Sequence, residues 1–121
     1  MKIDRKKLAE LATIRLYVEQ DHIPVRRNAL ASGDDAEDKA YEDAILERLD
    51  AGDVWAWAQV EVRASYADVD GADYLGACSY EDEDDFRQPG GYFDDMRERA
   101  LDQLALELET AWKDIGAVLE D

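Results

Sequence analysis

Residues 54–66 read Val54-Trp55-Ala56-Trp57-Ala58-Gln59-Val60-Glu61-Val62-Arg63-Ala64-Ser65-Tyr66, with mostly aliphatic residues at every second position. A period of two is typical of a β-strand, because its side chains point alternately to the two faces of the sheet. The stretch therefore predicts a long strand with one aliphatic face and one mixed face led by Trp55 and Trp57.

The residues that follow predict a partner for this strand. Residues 68–72, Asp68-Val69-Asp70-Gly71-Ala72, have the composition of a turn, and residues 74–80 supply a second strand. The pair predicts an antiparallel hairpin. Because a two-stranded hairpin is only marginally stable in water, we expect its aliphatic face to lie on a helix.

Helices are predicted on both sides of the hairpin. The first is capped by Asp4 and stops before Pro24, which disfavours helical geometry in the residue before it. Its apolar positions are Leu8, Leu11, Ala12, Ile14 and Val18. The second begins at Asp34 or Asp35, and Gly52 lies where a helix C-terminal glycine belongs. Its inward positions are Ala40, Ala44, Ile45 and Leu49.

The third predicted helix runs from about residue 92 or 93 to 119, with apolar residues at steps of three and four. The predicted order is α-α-β-β-α. We therefore expect one α+β domain that comprises residues 1–121, with the antiparallel hairpin packed on the long C-terminal helix.

Charge is unevenly distributed along the chain. The 31 acidic and 14 basic residues give a net charge of -17. Residues 1–33 hold seven basic and four acidic residues, or +3, whereas residues 34–121 hold seven basic and 27 acidic residues, or -20. The negative electrostatic field of residues 34–121 repels nucleic acid and anionic membranes and attracts basic proteins. We therefore expect a basic, nucleic-acid-binding protein as partner, with no direct binding to nucleic acid or membrane. The basic residues within 1–27 are interpreted as an intramolecular counter-charge.

Catalytic and metal-binding patterns do not stand out in the sequence. His22 is the only histidine and Cys78 the only cysteine, and no nucleophile motif surrounds Cys78 or Ser79. We expect no catalytic residue, no metal and no cofactor, and hence a protein that is not an enzyme. A single cysteine excludes an internal disulfide, and the charged N-terminal residues do not form a signal-peptide core, so a cytoplasmic location is expected.

The predicted partner-binding residues are mostly clustered carboxylates. They are Glu81, Asp82, Glu83, Asp84, Asp85, Asp94 and Asp95. Duplex DNA carries one negative charge per about 1.7 Å of its axis, and carboxylates along a helix and its flanking loops approach that spacing. Trp55 and Trp57 are also candidates, because two exposed tryptophans would form an interface anchor. The alternative, which we favour, is that the first two helices cover both tryptophans.

Four segments of the chain carry a resemblance to a known group. Residues 52–58 (GDVWAWA), 74–80 (YLGACSY), 85–86 (DF) and 90–96 (GGYFDDM) resemble small acidic proteins encoded by bacteriophages and prophages. The likeness covers roughly residues 20–110. It implies an accessory protein directed at a host system and supplies no catalytic residues.

Two functional hypotheses follow. The first is a phage-derived acidic protein that inhibits a host nucleic-acid-binding defence factor, of the anti-CRISPR or anti-restriction type, by DNA mimicry. The alternative is a non-catalytic structural or adaptor subunit, with a homodimer as one version. It would use an apolar face such as Trp55 and Trp57 or the end of the last helix.

Overall fold

The computed structural model describes residues 2–30 and 32–119. Its elements are α1 (Arg5–Leu11), β1 (Thr13–Gln20), α2 (Asp35–Asp50), a 3₁₀ turn (Val54–Ala56), β2 (Ala58–Tyr66), β3 (Val69–Cys78), α3 (Glu83–Phe86) and α4 (Tyr92–Gly116). The strands form an antiparallel sheet in the order β1-β2-β3. The α+β class and the hairpin beside a long C-terminal helix are confirmed. Residues 1, 31, 120 and 121 of the predicted domain lie outside the described residues.

The predicted first helix is wrong in its second half. Asp4 does cap α1, accepting a hydrogen bond from the backbone N–H of Lys7 at 3.0 Å. However, α1 ends at Leu11 and β1 begins at Thr13. The side chains of β1 alternate between exposed and half-buried up to Val18, and this strand is rich in residues that favour extended backbone. Pairing with β2 therefore prevails over the helical spacing of the apolar residues.

The hairpin turn lies earlier than predicted. Ala67 and Asp68 alone connect β2 to β3, and both have positive φ, 53° and 62°. Positive φ at both central residues defines a two-residue type I′ turn, whose twist matches the flanking strands. Val69 and Gly71 consequently lie within β3 rather than in a turn.

Gly71 instead allows helix α4 to approach the sheet. A Cβ atom at Gly71 would overlap the backbone nitrogen of Leu104 and the backbone oxygen of Ala100. Ala100, Leu101 and Leu104 are at most 1% exposed, as is Met96 one turn earlier. The backbone of α4 therefore packs directly on β3 at this point. The helix ends at Gly116 rather than at residue 119.

The chain forms two compact units, a division that the sequence did not predict. We call them the terminal unit (Met1–Leu16, Glu61–Asp73 and Pro89–Asp121) and the middle unit (Tyr17–Val60 and Tyr74–Gln88). Each of the three strands contributes residues to both units.

The core of the middle unit contains α2, but not through all of the predicted positions. Ile45 is buried and Leu49 is half-buried, as expected, whereas Ala40 and Ala44 are exposed. The buried side of α2 instead includes Glu42, which is 7% exposed. Its carboxylate accepts a hydrogen bond from the backbone N–H of Arg27 at 2.5 Å and one from the Arg26 guanidinium at 3.3 Å. A buried carboxylate with these hydrogen-bond partners is tolerated. The prediction assigned only apolar residues to the buried side of α2 and therefore missed Glu42.

A buried carboxylate also ties strand ends together in the middle unit. Asp21, 8% exposed, follows β1. It accepts hydrogen bonds from the backbone N–H groups of Ile23 at 2.9 Å and Ala77 at 2.6 Å. Its own N–H donates to the carbonyl oxygen of Trp57 at 3.0 Å. Asp21 therefore joins the ends of all three strands.

Candidate binding surfaces

The acidic segment that begins at Glu81 is anchored by an aromatic cluster. Phe86, 1% exposed, ends α3, and its ring centroid lies 5.4 Å from that of Trp55 and 5.0 Å from that of Tyr80. Arg48 donates hydrogen bonds to the carbonyl oxygens of Tyr80 at 2.6 Å and Glu81 at 3.3 Å. The acidic run therefore contains one short helix, α3, which is fixed at both ends.

Several predicted binding carboxylates hold the local backbone. Asp82 caps α3 by accepting a hydrogen bond from the N–H of Asp85 at 2.9 Å. The Asp85 carboxylate accepts one from the N–H of Glu81 at 3.0 Å. Glu83 pairs with Arg87 one turn later, at 3.0 Å. These three carboxylates therefore stabilise the segment whether or not they meet a partner.

Asp94 and Asp95 begin the helix α4. Asp94 accepts a hydrogen bond from the backbone N–H of Gly90 at 2.8 Å. Asp95 is exposed, and its charge adds slightly to the raised pKa of Arg99, whose main cause is a hydrogen bond to Asp73. Both acids belong to the terminal unit, whereas the segment around α3 belongs to the middle unit. We therefore consider the two sets separately.

Three of the predicted carboxylates form no specific bond within residues 2–30 and 32–119. Glu81, Asp84 and Asp95 are exposed, and their side chains make no hydrogen bond or ion pair there. They are the members of the predicted set whose charge is most available to a partner, and their substitution should leave the fold intact.

Trp55 and Trp57 do not form an exposed anchor. Trp55 is 9% exposed and packs on Phe86, while Trp57 is 3% exposed and packs in the core with Val25 and Ile45. The indole Nε1–H of Trp57 donates a hydrogen bond to the carbonyl oxygen of Ile23 at 2.7 Å. The predicted strand face failed because the 3₁₀ turn precedes β2, so the period of two does not hold at Trp55. Both tryptophans are covered, as we favoured, although Trp55 is covered by Tyr80 and Phe86 and not by the first two helices. Neither offers an exposed anchor.

The middle unit carries most of the negative charge. It contains 16 acidic and five basic residues, or -11, whereas the terminal unit contains 15 acidic and nine basic residues, or -6. The middle unit thus holds about two thirds of the net charge, and its surface has a predominantly negative field.

Two arginines of the basic N-terminal region pair with acids further along the chain. Within the terminal unit, Arg5 contacts Glu98 at 2.6 Å and Asp102 at 2.9 Å. Within the middle unit, Arg26 contacts Asp43 at 2.5 Å, and this hydrogen bond is the main cause of the raised pKa of Arg26. These pairs agree with the interpretation of the basic residues as intramolecular counter-charge.

Cys78 is held as a neutral thiol. Its Sγ donates to the carbonyl oxygen of Ala58 at 3.3 Å, and burial raises the pKa of the thiol to about 11. The thiolate is the nucleophilic form of cysteine, so Cys78 is poorly reactive near neutral pH. Among residues 2–30 and 32–119, no group of three or more His, Cys, Asp or Glu side chains is placed to hold a metal ion.

An apolar groove in the terminal unit was only partly anticipated. A cavity of about 270 Å³ is lined by Ile3, Tyr66, Ala67, Val69, Leu108, Ala111, Trp112 and Ile115. A second, of about 140 Å³, shares Ile3, Tyr66 and Leu108 and extends along α1 to Leu11. The sequence pointed to the end of the last helix as a candidate face. The opposite wall, made by Tyr66 and Val69, required the hairpin turn at its observed position.

No helix among residues 2–30 and 32–119 is long and apolar enough to cross a membrane. No family model, curated protein or solved structure matches this chain.

Proposed function

We propose that this chain is an acidic, non-catalytic binding protein that occupies the nucleic-acid-binding surface of a basic protein. The observation that carries the proposal is the charge of -11 on the middle unit, part of which is displayed from the anchored helix α3. A predominantly negative surface of this kind accelerates association with a basic partner and repels nucleic acid itself.

Pre-organisation of the acidic segment supports this function. Phe86 is buried against Trp55 and Tyr80, and Asp82 caps the helix, so the backbone that carries Glu81 and Asp84 is fixed before a partner arrives. Ordering a flexible loop on binding costs conformational entropy, and a segment already ordered avoids much of that cost.

Charge spacing supports mimicry of a nucleic acid. Five consecutive carboxylates, Glu81 to Asp85, lie along and just before α3, where the rise is about 1.5 Å per residue, and Glu81 and Asp84 among them make no hydrogen bond or ion pair within the described residues. Duplex DNA presents one charge per about 1.7 Å of its axis. Such a segment competes with phosphates for the same lysine and arginine side chains without an active site of its own.

The biological setting follows from the resemblance to small acidic phage and prophage proteins. We propose that this chain acts in the host cytoplasm, on a basic nucleic-acid-binding complex of a CRISPR or restriction system. We therefore propose inhibition of such a host defence factor as the function.

One observation favours the alternative function, an adaptor subunit. Trp55 and Trp57 are buried and do not provide its apolar face, but the groove beside the end of α4 does. An adaptor would use this groove alone, and its binding would persist at high salt.

The experiment is capture of partners from host lysate on the tagged protein and on the variant Glu81→Gln/Asp84→Asn. We expect a basic nucleic-acid-binding protein to be retained by the parent chain, to elute with salt, and to be lost from the variant. The matched control is Glu10→Gln/Glu109→Gln, which removes the same charge from the terminal unit and makes no change in the middle unit. Equal retention by all three proteins would contradict the proposal.

A further inference from the structure

The helix α4 carries one apolar stripe, of which only the first part is covered. Leu101, Leu104, Leu108, Ala111 and Ile115 follow alternating steps of three and four, the spacing of the a and d positions of a coiled coil. Leu101 and Leu104 are 1% and 0% exposed, whereas Ile115 is 49% exposed. The same helix face therefore continues past the sheet that buries it.

The uncovered part of the stripe forms one wall of the groove described above. Tyr66 and Val69 from the hairpin and Ile3 from the segment before α1 form the other wall. Trp112, 51% exposed, and Tyr66, 42% exposed, present large apolar surfaces to it. The cavity of about 270 Å³ is below the range of about 300–1,000 Å³ typical of small-molecule pockets. Its elongated lining along two turns of α4 is instead suited to the side chains of a helix.

The charge beside the groove is mixed, since Lys7 lines the second cavity and Lys113 lies on α4, but the positions that flank the apolar stripe are acidic. On α4, Glu107 and Asp114 flank the stripe one residue before Leu108 and Ile115, at the positions that face the partner's flanking residues in a coiled coil. Asp68 adds a carboxylate at the hairpin turn, and it is exposed.

An antiparallel second copy of this chain fits the groove poorly. In an antiparallel pair, Glu107 and Asp114 of the two copies would face one another, and each chain carries a net charge of -17. Like charges at these positions destabilise pairing, whereas lysine or arginine stabilises it.

We propose that this groove binds an amphipathic helix of the basic partner, with apolar side chains at i, i+4 and i+7 inserted into the groove and lysine or arginine beside them. This is the helix-in-groove mode of recognition. The inference rests on the proposed function only for the basic character of the partner, because the groove and the acidic segment belong to different units.

The test uses a synthetic helix of leucine, alanine and lysine with leucines at this spacing, and a scrambled peptide of the same composition and charge. Trp112 reports on binding, because it is half exposed whereas Trp55 and Trp57 are 9% and 3% exposed. We expect the amphipathic peptide to shift the emission to shorter wavelength and to protect it from acrylamide, at high salt as well as low. The scrambled peptide should do neither at high salt.

Two matched variants locate the site. Ile115→Gln removes an apolar side chain from the groove, and Leu106→Gln removes one that is 57% exposed on α4 but does not line it. We expect Ile115→Gln to weaken peptide binding about tenfold, equivalent to ~1.4 kcal/mol, and Leu106→Gln to leave it unchanged. Circular dichroism of both variants checks that α4 is intact.

Equal binding of the two peptides to the parent chain would overturn the inference, as would equal binding of the amphipathic peptide to the parent and to Ile115→Gln. A third contrary result is a shift of the Trp112 emission when the protein concentration is raised without peptide, together with a doubled molecular mass. The last result would assign the groove to a second copy. Glu81→Gln/Asp84→Asn should bind the amphipathic peptide as the parent does. Equal lysate capture by the parent and this variant, with peptide binding intact, would mean that only the proposed function has failed. Capture lost from this variant alone, with equal binding of the two peptides, would mean that only the groove proposal has failed.

Discussion

Replacing Gly71 by alanine tests the packing of α4 on β3, on which the groove and the terminal unit depend. The new Cβ would overlap the backbone nitrogen of Leu104 and the backbone oxygen of Ala100, and it would lie 2.8 Å from the Leu104 Cα. Backbone atoms cannot move away by a change of rotamer. The helix must therefore shift as a whole from the strand, at the expense of packing by buried residues such as Leu101.

Overpacking a core costs typically ~1–3 kcal/mol. Because the contacts of Gly71 are with backbone, we expect a loss at or above the upper end, about 3 kcal/mol. For a chain of 121 residues this corresponds to a decrease in Tm of roughly 10 °C. Urea unfolding followed by circular dichroism measures the free energy, and a thermal scan measures Tm.

The same substitution at Gly116 is the matched control. A Cβ at Gly116 meets nothing within 4 Å, and its φ is not positive. Alanine has a higher helix propensity than glycine, so Gly116→Ala should stabilise the protein by ~0.5–1 kcal/mol. If Gly71→Ala unfolds at the same urea concentration as the parent chain, the close approach of α4 to β3 is incorrect.

Three further predictions concern the middle unit and the hairpin. Asp21→Ala leaves the buried N–H groups of Ile23 and Ala77 without an acceptor and should cost about 3 kcal/mol in urea unfolding, with Asp21→Asn intermediate. Ala67→Asn places a residue that tolerates positive φ in the type I′ turn and should stabilise the protein by ~0.5–1 kcal/mol; a lower stability would contradict the turn assignment. Cys78 should react slowly with a disulfide reagent at pH 8 until the protein is unfolded, because its pKa is raised to about 11. The pKa of this thiol in the folded protein exceeds its ordinary value of 9.0, so the stability contributed by the neutral thiol is complete below pH 9 and is lost as the pH rises through about 11. Cys78→Ala should reduce this decline in stability.

The elements with long, unambiguous periods were predictable from the sequence. The helix α4 and the strand β2 each carry an apolar pattern that fits a single period. The strand at residues 13–18 was not predictable, because Ile14 and Val18 also fit a helix that continues from Leu8 and Leu11. The alternation of Thr13 through Val18 was a signal for a strand, but only pairing with β2 decides between the two.

Glycine and aspartate had roles that the sequence could not assign. Gly71 stands among residues typical of a turn, but its lack of a side chain is required by the backbone of α4, which is 29 or more residues away in the chain. Similarly, Asp82 and Asp85 belong to an acidic run, and only the structure assigns them to the backbone of α3. Local patterns report period and charge, whereas these roles depend on contacts between distant segments.

The candidate surfaces were likewise predictable only in part. The acidic character of the chain was evident from composition, and Glu81, Asp84 and Asp95 retain the predicted exposure. The tryptophans were misplaced on one strand face because the period of two was extended into the 3₁₀ turn. The groove was indicated only by the apolar end of α4, since its second wall comes from the hairpin.

The measurement that tests the central claim most directly is competition between this protein and duplex DNA for the captured basic partner. A fixed amount of partner is bound to labelled DNA, and the parent chain or Glu81→Gln/Asp84→Asn is titrated in. If the acidic surface occupies the nucleic-acid site, the parent displaces the DNA and the variant does so only at higher concentration. A ternary complex in which partner, DNA and parent chain are bound together would contradict the account.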